Sequence, residues 1–226
     1  MNQPPFTVIY EDNHLIVVNK ASGVLVQPDK NGDPALEQLI KQYIKEKYTK
    51  PGEVFLGVVH RLDRPVSGLV IFAKTSKALV RMNELFKQRD IEKVYWAVVG
   101  NTPAEPEGKL VHWITRSEKS NLSKAHKTEV KGSLRAELQY KLIQRSDRYS
   151  LLEVHLMTGR HHQIRAQLSA IGCPIVGDLK YGFARSSPDG SIFLHSRYTK
   201  FIHPVQKEEI ILEAPMPELW RKYGMG

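Results

Sequence analysis

Cysteine is almost missing from this chain: Cys173 is the single one, so no internal disulfide can form. Its place within the apolar stretch 171–175 reads as a buried structural thiol suited to a reducing cytoplasm. No apolar run approaches the roughly 20 residues that would span a bilayer, and residues 1–5 lack the basic-then-apolar layout of a secretion signal. Nothing in the sequence directs the chain elsewhere, and a cytoplasmic location is expected. With no cysteine pair, and with His155, His195 and His203 scattered, ligand spacing for zinc is lacking. His161 and His162 are adjacent, and consecutive helical residues point about 100° apart, so they do not make a helical i, i+4 metal pair; no metal is expected. There is no internal repeat and no linker long enough to divide 226 residues, which favours a single domain, 1–226. Like-charged tails are lacking too. The net charge of +9, from 33 Lys and Arg against 24 Asp and Glu, is spread along the chain, which points to a basic face for a polyanion more than to a disordered arm. Nucleic acid is the leading partner class, although charge alone does not separate RNA from DNA or from an anionic membrane surface.

The densest chemistry lies in His60-Arg61-Leu62-Asp63-Arg64-Pro65-Val66-Ser67-Gly68, between apolar segments 54–59 and 69–73 that read as short buried strands. The turn between them would display one carboxylate, two guanidiniums and an imidazole together. Arg61 and Arg64 flank Asp63, and nearby cations favour an ionised, acceptor-only carboxylate able to attack carbon. Pro65 fixes its own φ, and Gly68 permits a backbone conformation closed to other residues. Taken alone, residues 61–64 also fit a solvated turn with a local ion pair.

Along the chain, strands are expected over 7–10 and 15–18, with Lys20 at a strand end and Ser22-Gly23 turning the backbone. Asp33 is a good N-cap with Pro34 at the first helical position, and Leu36, Leu39, Ile40, Tyr43 and Ile44 share one helical face. A second helix, capped by Ser76, runs to about Arg89, with Leu79, Met82, Leu85 and Phe86 inward. Residues 93–100 form a buried central strand, apolar on both faces. Strands follow over 110–115 and 134–143, with a Lys- and Ser-rich segment, 116–133, read in part as a mobile hairpin that either touches RNA phosphates or is simply solvated. A strand over 150–157 turns at Thr158-Gly159-Arg160-His161-His162-Gln163-Ile164-Arg165 into a helix ending near Gly172. Two last strands cover 192–202 and 210–213. Strands in hairpin order with few helices and no repeating βα unit give an α+β fold.

Three of these stretches resemble one family. The nonamer 60–68 resembles the signature of the RluA-type RNA pseudouridine synthases, Lys93-Val94-Tyr95-Trp96-Ala97-Val98-Val99-Gly100 resembles their second motif, and the turn 158–165 their third. The opening, with Val17-Val18-Asn19-Lys20-Ala21-Ser22-Gly23, resembles the start of their catalytic domain. Some members carry an S4-type RNA-binding module in front; few residues precede the opening here, so that module is expected to be absent and RNA binding to come from the catalytic domain or a partner. The resemblance implies a mixed, mostly antiparallel central sheet with flanking helices and a catalytic cleft, no cofactor, and isomerisation of uridine in ribosomal or transfer RNA, with no obligate protein partner apparent. It implies that Asp63 is catalytic and that Arg61 enters the RNA stack where the base has flipped out. It implies that Tyr95 stacks on the uracil, that Ile164 lines its pocket, and that Arg165 salt-bridges Asp63. The chain departs at Val66, where members often have Thr, losing a hydroxyl that could brace the loop. Two rival readings are a silent RNA-binding protein on the same fold and a hydrolase pairing Asp63 with Glu153. Without the motif, Tyr95 also fits an ordinary core tyrosine.

Overall fold

The computed structural model describes residues 5–29 and 32–226. The chain divides into two compact units, Met1–Glu92 with Ser196–Pro215 and Lys93–His195 with Met216–Gly226. The strand pairings within each are antiparallel and the helices are few, an α+β arrangement. Among the described residues no helix is long and apolar enough to cross a membrane.

In the first unit β1 (Phe6–Glu11), β2 (Leu15–Lys20) and β4 (Ser67–Ala73) lie side by side, and β3 (Gly57–Val58) pairs with the far end of β4. Leu15, Ile16, Val17 and Val18 are all fully buried, which the alternation of a strand allows only if both faces are covered. Leu15 and Val17 pack with Leu69, Ile71 and Ala73 beneath α2 (Ser76–Gln88), whose Ala78 and Met82 complete that cluster. The opposite face belongs to α1 (Leu36–Lys47), whose Tyr43 meets Phe6 edge-on at 6.0 Å.

Thr75, not Ser76, caps α2: its Oγ1 accepts the Ala78 N–H at 3.2 Å. The start of α1 also differs from expectation, with Ala35 in the cap position and Pro34 outside the helix. The reason is competition. The Leu36 and Glu37 N–H groups donate to Leu25 and Val26 carbonyls, Gln38 Oε1 accepts the Ala35 N–H at 3.1 Å, and the Asp33 carboxylate is taken by Arg64 at 3.0 Å. Side chains on the inward face of α1 fall as the periodicity predicts, with Leu36, Ile40 and Ile44 buried.

The same unit takes in β11 (Glu209–Glu213), paired with β10 (Leu194–Ile202) from Tyr198↔Glu213 to Ile202↔Glu209. The turn between them is held by His203, fully buried. Its Nδ1 accepts N–H groups of Val205 (3.2 Å) and Gln206 (2.9 Å), so Nε2 carries the proton and faces Asp12 Oδ2 at 3.0 Å.

The second unit orders its strands β5 (Ile91–Val99), β9 (Ser150–Leu156), β8 (Leu134–Arg145), β6 (Glu107–Ser117) and β7 (Leu122–His126). Ala136, Leu138 and Tyr140 turn inward on β8, as the alternation predicts. The Lys-rich segment is in part a hairpin, and its residues 122–126 are a registered strand, β7, paired with β6 from Trp113↔His126 to Ser117↔Leu122. Ser123 on β7 is buried, while Lys119, Lys124, Lys127 and Lys131 are exposed. Helix α3 (Gln163–Ala170) lies across β6 and β8, where Gln167 Nε2 donates to the Leu110 carbonyl at 3.1 Å. Gly172, at φ 76°, ends it and lets the Cys173 N–H reach the Leu168 carbonyl. Cys173 is buried, and burial pushes its thiol pKa up.

Candidate active site

The nonamer occupies the connection from β3 to β4 and enters β4 at Ser67. Its burial alternates by chemistry: Leu62 and Val66 are buried, Asp63 is half-buried, Arg61 and Arg64 are exposed. A tight turn joins the Asp63 carbonyl to the Val66 N–H at 3.1 Å. At its start His60 stacks on Phe86, centroids 5.0 Å apart, and Nε2 accepts the Ile71 N–H at 3.0 Å. At its end Gly68 has φ 111°, and a Cβ there would collide with the backbone of Ser196. Both features give physical content to the glycine: the conformation favours it and the space requires it. Val66 has its methyls in the core, and the missing hydroxyl is made up for by other braces.

Those braces come from β2 and the turn after it. Lys20, fully buried, donates from Nζ to the carbonyls of Ala21 (2.9 Å), Val24 (2.9 Å) and Arg64 (3.2 Å). The Gly23 N–H also donates to the Arg64 carbonyl at 2.8 Å. In return Arg64 Nε donates to the Gly23 carbonyl at 2.9 Å, and its Nη2 pairs with Asp33. Arg64 therefore fastens the loop, a role its position beside Asp63 did not announce. Arg61 extends into solvent, with Nη1 3.5 Å from Gln27 Oε1.

In the second unit Tyr95 lies on β5 opposite Val154 of β9, with 7% of its surface exposed. Ile164 and Arg165, each 4% exposed, occupy the first turn of α3. The preceding turn is closed by Gln163: Oε1 accepts from Thr158 Oγ1 (2.8 Å) and the Arg160 N–H (3.0 Å), and Nε2 donates to the Glu137 carbonyl (3.0 Å). Arg165 makes a fork with Asp178, Nε to Oδ2 at 2.7 Å and Nη2 to Oδ1 at 2.9 Å, and its guanidinium carbon lies 4.8 Å from the Tyr181 ring centre. Asp178 is a residue that sequence reasoning did not single out.

Tyr181 ties this corner together. Its hydroxyl accepts the Ser123 N–H at 2.8 Å, leaving its proton for His162 Nδ1 at 2.9 Å. Burial raises the phenol pKa, which keeps that proton in place. Ser123 Oγ donates to the His161 carbonyl at 2.7 Å and meets His161 Nδ1 at 2.9 Å. The two histidines precede α3, where His162 adopts φ 50°, and their rings stack with centroids 3.8 Å apart; the expectation of helical divergence fails because they are not yet helical. Ring contacts of His161 with Ser123 and of His162 with Tyr181 hold β7 and the turn at 179–182 to the start of α3. Glu153, the second acid of the hydrolase reading, pairs with His155 at 3.1 Å.

The family described as RNA pseudouridylate synthase matches residues 14–170, a span containing all three motifs. Ribosomal large subunit pseudouridine synthase D of Zymomonas mobilis is 32% identical, over 96% of this chain and 72% of that protein. The tRNA pseudouridine synthase C of Vibrio parahaemolyticus is 28% identical, over 95% of this chain and 92% of its own length. Among solved structures, human RNA pseudouridylate synthase domain containing 4 shares the fold at TM-score 0.79 and 23% identity, covering 95% of this chain and 90% of that one. With its three motifs inside the matched span and its fold shared, the chain belongs to the RNA pseudouridylate synthase family.

Proposed function

We propose that this enzyme converts particular uridines of a structured RNA, ribosomal or transfer, to pseudouridine, with Asp63 as the catalytic carboxylate. Arg61, Tyr95, Ile164 and Arg165 are proposed to bind the substrate nucleotide, and the two units to work as one catalytic domain in the cytoplasm. The observation that carries this is the loop itself: a half-buried carboxylate on a turn fixed from both ends, by His60 on Ile71 and by Lys20 and Gly23 on the Arg64 carbonyl. Such rigidity fits a group that must meet one atom of a substrate.

The reaction exchanges a C1′–N1 bond for a C1′–C5 bond. N1 gains a proton, C5 loses one, and no electrons leave the nucleotide, so the chemistry calls for no cofactor. A base inside a helix is out of reach, and the proposed sequence begins with RNA bound to a basic surface and the target nucleotide extruded. Arg61, exposed and ahead of Asp63, then fills the vacated stack. The uracil rests on Tyr95, where base-aromatic stacking contributes about 1–3 kcal/mol. Asp63, ionised, attacks C1′ or C6, or takes the C2′ proton to give a glycal. Arg165 is proposed to favour the ionised carboxylate, as a guanidinium does beside an anion. The detached uracil turns to present C5, and loss of the C5 proton completes the product.

Tritium release from unmodified ribosomal and transfer RNA transcripts labelled at uridine C5 tests the substrate. Release from one class assigns it. Salt-sensitive binding of both with release from neither favours the silent-binder reading, and free uracil favours the hydrolase.

A further inference from the structure

A side chain that must meet a substrate keeps its place only if the groups around it are themselves fixed. Arg165 is held from one short turn. Asp178, at its start, forks the guanidinium through Nε and Nη2 at 2.7 and 2.9 Å. Tyr181, three residues on, lays its ring 4.8 Å from the guanidinium carbon. The turn is closed on itself, with the Tyr181 and Phe183 N–H groups donating to the Asp178 carbonyl at 3.1 and 3.0 Å. It is also tied to α3, where Ser169 Oγ donates to the Tyr181 carbonyl at 2.7 Å.

One more hold comes from a strand 58 residues earlier in the chain. β7 is the last strand of its sheet, and an edge N–H is ordinarily left to water. That of Ser123 goes to the Tyr181 hydroxyl at 2.8 Å, and the hydroxyl gives its own proton to His162 Nδ1 at 2.9 Å. A phenol oxygen that accepts one bond and donates another is fixed in direction. Ser123 is anchored in its turn, Oγ donating to the His161 carbonyl at 2.7 Å, and both Ser123 and Tyr181 are buried. The edge of the hairpin therefore rests on the side chain that packs against Arg165.

We propose that Tyr181 is a positioning residue of the reaction: its hydroxyl takes up the β6–β7 hairpin, and its ring, with Asp178, sets the plane of the Arg165 guanidinium, so that docking of the hairpin governs the rate of turnover. This rests on the reading of Arg165 as a substrate-binding residue.

Tyr181→Phe keeps the ring and removes both hydroxyl bonds. Ser123→Ala is milder, since it keeps the N–H on Tyr181 and loses only the contacts of Oγ with His161. Amide exchange over residues 122–126, the Arg165 Nε–H resonance, assigned with Arg165→Lys, and single-turnover rates at saturating RNA are measured for both variants and wild type. In Tyr181→Phe, exchange over 122–126 is expected to quicken about tenfold or more and the Arg165 resonance to move. The rate should fall about tenfold, with RNA affinity within about threefold of wild type. Ser123→Ala should lie between the two in exchange and in rate. A Tyr181→Phe enzyme with the wild-type rate overturns the proposal, and so does a slower one whose Arg165 resonance has not moved. Should Tyr181→Phe fail to fold, Ser123→Ala decides: quicker exchange with an unchanged rate overturns the proposal. Undiminished turnover by Arg165→Met would instead remove the reading on which it rests, so the two failures are distinct.

Discussion

At the scale of single residues, the buried fork of Arg165 and Asp178 sets the strictest terms. Their side chains are 5% and 1% exposed, so losing Asp178 takes two acceptors from a guanidinium that has no water to replace them. Asp178→Ala is expected to cost about 3–5 kcal/mol of unfolding free energy, read from urea denaturation, and to displace the first turn of α3. An unchanged midpoint would show that other groups hold Arg165. Asp63 could be singled out in the sequence because it sits in a short run of unusual chemistry, and Tyr95 and Arg165 because their stretches resemble the family's second and third motifs. Asp178 and Lys20 could not. Asp178 pairs with a residue 13 positions away and the loop acceptor of Lys20 is 44 away, and an acid or a lysine at a strand end or in a turn carries no local mark of being buried. Arg64 shows the converse: adjacency to Asp63 suggested an electrostatic partner, while its side chain is committed to Gly23 and Asp33.

The elements that place those residues follow from simpler rules. β2, β4, β5 and the inward face of α1 were legible, since continuous β-branched runs and helical spacing of apolar residues leave few alternatives. The start of α1 and the strand β7 were not. At α1 the backbone N–H groups found partners in Leu25 and Val26, which no capping signal records. On β7 the buried residue is a serine, so the pattern of alternating apolar residues never arose. Gly68 was legible and is testable. With φ 111° and Ser196 backbone in the way, Gly68→Ala must shift β4 or its neighbour. It is expected to lose about 2–4 kcal/mol of stability together with most of the turnover. A variant equally stable and active would show that β4 accommodates the methyl group without disturbing the loop.

For the whole molecule, stability should depend on pH through two anchors of the first unit. Burial alone would raise the Glu11 carboxyl, but hydrogen bonds from Lys47, Lys74 and Tyr48 bring it down to about 2 from an ordinary 4.5. Its contribution is full above the ordinary value and is lost as pH falls toward 2. Burial holds the His203 imidazole below its ordinary 6.5 in spite of Asp12 beside it, and a proton on Nδ1 would break its bonds to Val205 and Gln206. Below 6.5 the unfolded chain takes up a proton that the folded one refuses, so stability again falls with pH. The two act in the same direction. The urea midpoint is expected to decline from pH 7 to pH 4 and to fall further toward pH 2; a midpoint that rises on acidification would contradict both assignments.

The central claim is that one carboxylate on one braced loop performs the isomerisation, and the most direct measurement is the single-turnover rate of tritium release from C5-labelled RNA by wild type and by Asp63→Asn, with RNA affinity measured alongside. The expected result is release by wild type, a rate lower by at least about 10³-fold in Asp63→Asn, and affinities within a few-fold of each other. Release by Asp63→Asn at a rate near that of wild type would contradict the account.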